Sequence, residues 1–175
     1  LMFKHKLLSE TIQFPDRTNK EFYSSFNSEL LYSLGILPEN GLLAKIFEVC
    51  SYLPWERFND TDVLKKIEQP IGIISNFNST LRNKLDEFFN NNFSDIIVSE
   101  ELGISKPNIE FYRKALEIID VDSSKILYIG DSIKLDLYPA LQCGINTLII
   151  DRNNFYPALK SKISNLNNIL EYINE

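Results

Sequence analysis

The stretch ILYIGDSIKLD, residues 126–136, decides how the rest of the chain is interpreted. Its first four residues are apolar and include two isoleucines, which is typical of a strand buried in a parallel sheet. The strand is predicted to stop at Gly130, and the carboxylates of Asp131 and Asp136 follow. Ligands of open α/β sheets bind beyond the carboxyl ends of the strands, and paired carboxylates there suit Mg²⁺. A turn in which Asp131 or Ser132 only caps the next helix explains the same residues equally well.

Strand and helix patterns alternate from Pro70 to the end of the chain. Four short apolar runs predict strands, at 71–75, 95–99, 126–129 and 147–150, and amphipathic stretches between them predict helices. This alternation predicts an α/β fold with a doubly wound, parallel, Rossmann-like sheet over residues 68–175. Residues 1–67 show helical spacing and no convincing strand, so they are expected to form a small helical region.

Composition excludes several classes of function. The 175 residues fit one domain, or one domain with a small insert, and a net charge of −6 argues against nucleic acid or an anionic membrane as the main partner. No apolar run approaches the roughly 20 residues of a membrane span, and no signal-peptide pattern is present, so a cytoplasmic protein is expected. His5 is the only histidine, which leaves little for a Ser-His-Asp triad. Cys50 and Cys143 are expected to be buried free thiols.

Polar residues follow other predicted strands as well. Ser75 and Asn76 end the first strand, where a hydroxyl and backbone N–H groups can hold a phosphate oxygen, although a helix N-cap uses the same residue types. Lys106 lies directly before a predicted helix and can neutralise a phosphoryl group or a carboxylate, although a solvated surface lysine is the simpler interpretation. Arg152, after the last strand, is expected to be a surface or capping residue.

Together these residues resemble a known family. The segments IGIISNFNSTLRNKL (71–85), VSEELGISKPNIEFYRKAL (98–116) and ILYIGDSIKLDLYPALQCGINTLIIDR (126–152) resemble motifs II, III and IV of the haloacid dehalogenase-like (HAD) hydrolases. The SNF and terminal DR are most similar to the REG-2-like branch of capped, phosphatase-like members. Residues 20–53 resemble the α-helical cap of one subclass. Tyr138-Pro139-Ala140 departs from the pattern, since a glycine is usual before the alanine.

The resemblance implies a role for each residue. Ser75 would bind a phosphoryl oxygen, with help from the backbone near Asn76. Lys106 would stabilise negative charge on the nucleophile and the phosphoryl group. Asp131 would ligate Mg²⁺, and Asp136 would be a further metal ligand or a carboxylate that holds water or Lys106. The Gly-Asp-Ser form of motif IV favours a Mg²⁺-dependent phosphatase over a metal-free dehalogenase.

The family's nucleophile motif, a strand followed by D-x-D-x-T, has no match in these residues. Asp60-Thr61-Asp62 is better explained as an acidic helix N-terminus, and Asp120-Val121-Asp122 lies between a helix and the motif IV strand. Removing the family's central first strand would leave a gap of two strand spacings, about 9–10 Å, with unpaired backbone groups. The expectation is therefore that the first core strand and the nucleophile lie upstream of Leu1.

The residues and the resemblance lead to one main hypothesis and two alternatives. The main one is a Mg²⁺-dependent phosphatase that acts on a small phosphorylated metabolite through an aspartyl-phosphate. The first alternative is a non-catalytic module that keeps the fold but has no nucleophile. The second is a haloacid dehalogenase, which would be active in EDTA.

Overall fold

The computed structural model describes Lys6, Leu8 and residues 20–51, 55–90 and 92–173. Helices come first, and after residue 71 short strands alternate with helices. The strands are β1 (Gly72–Ser75), β2 (Asp95–Val98), β3 (Leu127–Gly130), β4 (Asn146–Ile150) and β5 (Lys162–Ile163). The α-helices are α1 (Lys20–Ser33), α2 (Asn40–Ser51), α3 (Leu81–Phe89), α4 (Ser99–Leu102), α5 (Ile109–Ile119), α6 (Tyr138–Gln142) and α7 (Leu170–Ile173). Turns of 3-10 helix cover Asn59–Lys66, Ser123–Lys125 and Leu166–Ile169, and a π-helix covers Ile133–Leu137.

Helices α1 and α2 pack against each other through aromatic side chains. The rings of Phe22 and Phe26 stack at 5.7 Å within α1, and Tyr23 meets Phe47 of α2 at 5.8 Å between ring centroids. Both helices lie in the segment 1–67 that is predicted to be helical. Other parts of that segment lie outside the described residues, and its separation from 68–175 as a cap stays a prediction.

All described strand pairs are parallel. Strand β1 pairs with β2, so that Ser75 lies opposite Val98. A second sheet has the order β3-β4-β5, in which Gly130 lies opposite Ile149. The α/β fold with parallel strands is thus confirmed.

The strand arrangement differs from the predicted single sheet in two ways. In the described part of the chain no strand joins β1 to β3, so the strands form two sheets; the resemblance places the first-motif strand between them, and that placement stays a prediction. Strand β5 was not predicted, because the two residues Lys162 and Ile163 are too few to show a periodic pattern.

Helix α5 begins at Ile109 and not at Pro107, because Asn108 caps it by accepting the Glu110 N–H at 2.9 Å.

A buried cluster connects the two sheets. Phe111 and Tyr112 of α5 are fully buried together with Ala140 of α6 and with Ile145. Ile74 of β1 and Tyr128 of β3 both pack against this cluster. The cluster therefore brings the ends of β1 and β3 to the same region of the molecule.

Composition predicts that the chain has no membrane span and that both cysteines are buried thiols. Among the described helices, none combines the length and apolar character that crossing a membrane requires. Cys143 is half-buried, whereas Cys50 is exposed, because it lies on a face of α2 that no described element covers. The expectation of two buried thiols is therefore wrong for Cys50.

Candidate active site beyond the ends of β1 and β3

The loop that carries Lys106 is fixed by the side chain of Asn76, directly after β1. Asn76 Nδ2 donates to the Lys106 carbonyl oxygen at 2.9 Å, and the Lys106 backbone N–H donates to Asn76 Oδ1 at 2.8 Å. The following peptide bond, to Pro107, is cis. Both the nitrogen and the oxygen of the Asn76 side-chain amide bind the Lys106 backbone. Asn76 would therefore contact a phosphate through its own backbone N–H.

Three side chains form a closed triangle of hydrogen bonds. Lys106 Nζ donates to Asp136 Oδ1 at 2.7 Å and to the Tyr128 hydroxyl oxygen at 3.1 Å. The Tyr128 hydroxyl donates to the same Asp136 oxygen at 2.6 Å. The side chains of Lys106 and Asp136 are only 13% and 2% exposed, so this ion pair is largely removed from water. The ammonium of Lys106 is thus held in one place at the edge of the site.

The second oxygen of Asp136 is engaged by the backbone. Asp136 Oδ2 accepts the N–H groups of Asp131 and Ser132 at 3.1 and 3.0 Å. Four donors therefore surround this carboxylate. Of the two roles predicted for Asp136, metal ligand or holder of Lys106, the geometry favours the second.

Gly130 permits the close approach of Asp136 to the end of β3. A Cβ atom at position 130 would lie 2.2 Å from Asp136 Cβ and 2.5 Å from Asp136 Cγ. Distances this short are excluded by sterics, so no larger residue can take this position without displacing Asp136. The glycine of the Gly-Asp-Ser segment is explained by contact with the carboxylate six residues later.

The helix that presents Asp136 starts as a π-helix, and Pro139 supplies a physical reason. Proline has no N–H, so residue 139 cannot donate to the carbonyl of Leu135 as it would in an α-helix. The Tyr112 hydroxyl donates to that Leu135 carbonyl instead. The Tyr138 N–H bonds five residues back, to Ile133. The departure from the family pattern at Tyr138-Pro139-Ala140 therefore changes how the Asp136 segment is held.

The electrostatics of the triangle keep Asp136 ionised. Burial by itself raises the pKa of Asp136, but the charge of Lys106 and the hydrogen bonds from Lys106, Tyr128 and the Ser132 N–H outweigh it, so the pKa lies below its ordinary value. Burial, and then the negative charge of Asp136, raise the pKa of Tyr128 well above its ordinary value. At neutral pH Tyr128 is therefore a hydrogen-bond donor beside a carboxylate.

Asp131 offers the exposed carboxylate of the site. Its side chain is 74% exposed, and Oδ2 lies 2.9 Å from Lys6 Nζ, which also donates to the Asp131 carbonyl oxygen. In the described ranges, no group of three or more His, Cys, Asp or Glu side chains could enclose a metal. Mg²⁺ binds proteins through one or two carboxylates and keeps several waters, so the exposed carboxylate of Asp131 fits this ion. The contact with the Lys6 ammonium shows that this carboxylate can bind a positive charge.

Ser75 lies where the sequence predicted, at the carboxyl end of β1, and it is half-buried. Its neighbour Asn76 binds the Lys106 loop, so the serine lies beside the segment that carries the ammonium. No hydrogen bond within the described ranges engages the Ser75 hydroxyl, which leaves this group available to a ligand. The phosphate-binding role of Ser75, Asn76 and Lys106 stays a prediction.

Sequence reasoning missed the partner of Arg152. Both oxygens of Asp60 accept from the Arg152 guanidinium, at 2.9 and 3.0 Å, and Asp60 Oδ2 also accepts the Leu166 N–H at 2.9 Å. Asp60 is buried in the first turn of its 3-10 helix, and the Phe58 ring lies 4.1 Å from the guanidinium. Arg152 is thus part of a tertiary ion pair and not a simple surface residue. The partners lie 92 positions apart in the sequence, which explains why no local pattern revealed the pair.

Asp151 is a second buried carboxylate that the sequence did not reveal. It accepts the N–H groups of Phe155 and Tyr156 at 2.7 and 2.8 Å, and Lys162 Nζ at 3.2 Å. Burial raises its pKa, but these hydrogen bonds and the charge of Lys162 outweigh the effect and lower it. Asp151 therefore organises the segment between β4 and β5.

Comparison with known proteins places the chain in a family. The model of the haloacid dehalogenase-like hydrolase family matches residues 61–150, and the chain belongs to this family. A glyceraldehyde 3-phosphate phosphatase from Pyrococcus abyssi is 31% identical over 91 residues, which are 49% of this chain and 37% of that protein. The pyrimidine 5′-nucleotidase YjjG from Escherichia coli is 32% identical over 105 residues, 57% of this chain and 45% of the nucleotidase. The chain spans less than half the length of both relatives.

Solved structures agree on the fold. YfnB from Bacillus subtilis, described as a HAD-hydrolase and bound to magnesium, superposes with a TM-score of 0.75 at 21% identity, over 99% of this chain and 81% of YfnB. A 2-haloacid dehalogenase from Pseudomonas syringae superposes with a TM-score of 0.64 at 21% identity, over 99% of this chain and 78% of the dehalogenase. Because phosphatases and dehalogenases share this fold, the fold alone does not choose between them.

Proposed function

We propose that the protein is a Mg²⁺-dependent phosphatase that acts on a small phosphorylated metabolite through an aspartyl-phosphate. The observation that carries this proposal is the fixed ammonium of Lys106, held by Asp136 and Tyr128, on a loop that Asn76 binds directly after Ser75. A positive charge that is already in place can stabilise the charge of a transferring phosphoryl group without reorganising.

Lys106 would bind the phosphoryl group and the attacking carboxylate. A lysine ammonium has three N–H donors, and Asp136 and Tyr128 take two of them. The third is left for an oxygen of the substrate. The Ser75 hydroxyl and the backbone N–H groups after β1 would donate to the other phosphoryl oxygens. The attack on phosphorus would come from the aspartate of the family's nucleophile motif.

Asp131 would hold the metal, and Asp136 would position Lys106 and the turn that contains Asp131. When bound, Mg²⁺ would neutralise charge on the phosphoryl oxygens. The N–H of Asp131 donates to Asp136, so the backbone of the metal-holding residue is itself fixed by the carboxylate that holds Lys106. One buried carboxylate thus sets the geometry of two functional groups.

The substrate is proposed as a small phosphorylated metabolite. Relatives named for glyceraldehyde 3-phosphate and pyrimidine 5′-nucleotides support this class and suggest the first compounds to assay. The net charge of −6 gives an anionic substrate no general attraction, so Lys106 and the metal must supply it. We further propose that residues 1–67 form a helical cap and that residues 68–175 form the catalytic core.

The test is Asp131→Ala, assayed in the protein as its gene encodes it. Because the Asp131 side chain is 74% exposed, the fold should survive while Mg²⁺-dependent phosphate release is lost. Asp86→Ala is the matched control, since Asp86 is also an exposed aspartate but lies on α3. An Asp131→Ala variant with the wild-type rate would reject the assignment.

A further inference from the structure

We propose that Lys6 is a further residue of this site, whose ammonium occupies the oxygens of Asp131 that a divalent cation would use. Metal binding then requires Lys6 to leave Asp131. The inference rests on the proposed metal-holding role of Asp131, and it adds a residue that no motif of the sequence predicted.

The contact joins Lys6 to two different oxygens of the same residue. Lys6 Nζ lies 2.9 Å from the Asp131 carboxylate and also donates to the Asp131 carbonyl oxygen. A carboxylate oxygen and a carbonyl oxygen are both ligands that hard divalent cations accept. The ammonium therefore engages a pair of oxygens with the chemistry of a cation site.

The environment of Lys6 distinguishes it from a surface lysine. Its side chain is 15% exposed, although the Asp131 side chain that it contacts is 74% exposed. Its ammonium also lies 5.5 Å from the centre of the Tyr156 ring, close enough for a cation–π interaction. The protein thus surrounds most of the Lys6 side chain, whereas the Asp131 carboxylate is open to solvent and to ions.

Two cations cannot share these oxygens without repulsion. When a divalent ion binds Asp131, the Lys6 ammonium loses its contact with Asp131 and must move on its flexible stem. Metal binding is therefore weaker by the free energy of the ion pair that it breaks. Because the Asp131 side chain is 74% exposed, water screens the pair, and it should weaken metal binding only as much as a surface ion pair does, roughly two- to fivefold.

The experiment is a titration of the substrate-free protein with Mn²⁺, with the free ion followed by its electron paramagnetic resonance signal. Lys6→Met removes the charge but keeps an unbranched apolar side chain, and we expect it to bind Mn²⁺ roughly two- to fivefold more tightly than wild type. Lys6→Arg keeps the charge and should bind no more tightly than wild type. Lys20→Met is the matched control, because Lys20 is an exposed lysine at the start of α1.

The outcomes separate this inference from the proposed function. Equal Mn²⁺ affinity of wild type and Lys6→Met would overturn the inference, and a metal-dependent phosphatase activity in the same preparation would leave the function standing. Tighter binding by Lys6→Met, in a protein that hydrolyses no phosphate ester, would support Lys6 and reject the function. Failure of both proteins to bind Mn²⁺ would overturn the inference, because no cation site would exist for Lys6 to occupy.

Discussion

The hydroxyl of Tyr128 connects the two charged residues of the candidate site. It accepts from Lys106 at 3.1 Å and donates to Asp136 at 2.6 Å. A lysine bound by one acceptor can rotate about that bond, whereas a second acceptor fixes the direction of the remaining N–H. Tyr128 is therefore a positioning residue for Lys106.

Tyr128→Phe is expected to lower kcat roughly three- to tenfold and to change KM less. The variant keeps the ring that packs against the core and removes only the hydroxyl, so Lys106 loses one of its two anchors. Steady-state kinetics of phosphate release with Mg²⁺ measure this split.

Tyr138→Phe provides the matched control for that measurement. Tyr138 is 63% exposed, and its substitution should leave both constants at their wild-type values. A Tyr128→Phe variant with unchanged kcat, or one in which only KM rises, would show that the hydroxyl does not position the ammonium.

Asp136 should make the stability of the protein depend on pH in acid. Its pKa in the folded protein lies below the ordinary value of 3.8, so its stabilising contribution is present above that value and is lost as pH falls through the folded pKa. Asp136→Asn should therefore cost about 3–5 kcal/mol near neutral pH, because it breaks a buried ion pair. The deficit should shrink below pH 4.

Chemical denaturation of both proteins between pH 2.5 and pH 7 measures this deficit. Other carboxylates with lowered pKa values, such as Asp60 and Asp151, are present in both proteins, so their effects cancel in the difference. A deficit that stays constant or grows in acid would contradict the ion pair between Lys106 and Asp136.

The sequence proposes Ser75, Asn76, Lys106 and Asp131 because each follows a strand or precedes a helix, and Asp136 because it lies about one turn into the helix after β3. Their roles stay predictions. The alternative roles of Asp136 could not be resolved, since they depend on which donors surround its oxygens. The sequence pattern presents Tyr128 as one more apolar residue of a strand. A run of four apolar residues does not show that the Tyr128 hydroxyl donates to Asp136, eight positions later.

At the scale of elements, the junction of β3 with the π-helix is the most constrained part of the site. Gly130→Ala is expected to destabilise the protein by about 3 kcal/mol or more and to abolish activity, because the added Cβ would lie 2.2 Å from Asp136 Cβ. Thermal unfolding and the rate of phosphate release are the measurements.

Gly41→Ala is the matched control for Gly130→Ala. A Cβ at position 41, near the start of α2, would meet nothing within 4 Å, so the change in stability should stay below about 1 kcal/mol. If Gly130→Ala were as stable and active as Gly41→Ala, the close contact between β3 and the Asp136 segment would be refuted.

The sequence predicted the longer elements well and the irregular ones poorly. Short apolar runs predict strands β1 to β4, and apolar residues at helical spacing predict helices α3 and α5, because burial requires these patterns whatever the neighbouring elements are. The π-helix depends on Pro139 together with a hydroxyl from Tyr112, 23 residues before Leu135, and a tertiary contact of this kind leaves no local pattern. Strand β5 likewise depends on its neighbours and not on its own two residues.

At the scale of the whole molecule, the ion pair between Asp60 and Arg152 ties the 3-10 helix Asn59–Lys66 to the segment after β4. Arg152→Ala should lower the free energy of unfolding by about 2–3 kcal/mol, because Asp60 would remain buried without its cation. The value lies at the lower end for buried pairs, since the Arg152 side chain is 25% exposed. Urea denaturation measures the change.

Arg57→Ala is the control for that variant. Arg57 pairs with Asp62, and both side chains are largely exposed, at 42% and 58%, so its loss should cost less than about 1 kcal/mol. Equal effects of the two substitutions would mean that the Asp60–Arg152 pair contributes no more than a surface contact.

Phosphatase and dehalogenase are best distinguished by assaying both reactions under two conditions. The protein as its gene encodes it is given phosphorylated metabolites, among them glyceraldehyde 3-phosphate and pyrimidine 5′-nucleotides, and in parallel 2-haloacids, each with Mg²⁺ and with EDTA. A Mg²⁺-dependent phosphatase should release phosphate with Mg²⁺ only, and no halide in either condition. Halide release in EDTA would identify a dehalogenase, and the absence of both reactions would favour a non-catalytic module; either result would contradict the phosphatase.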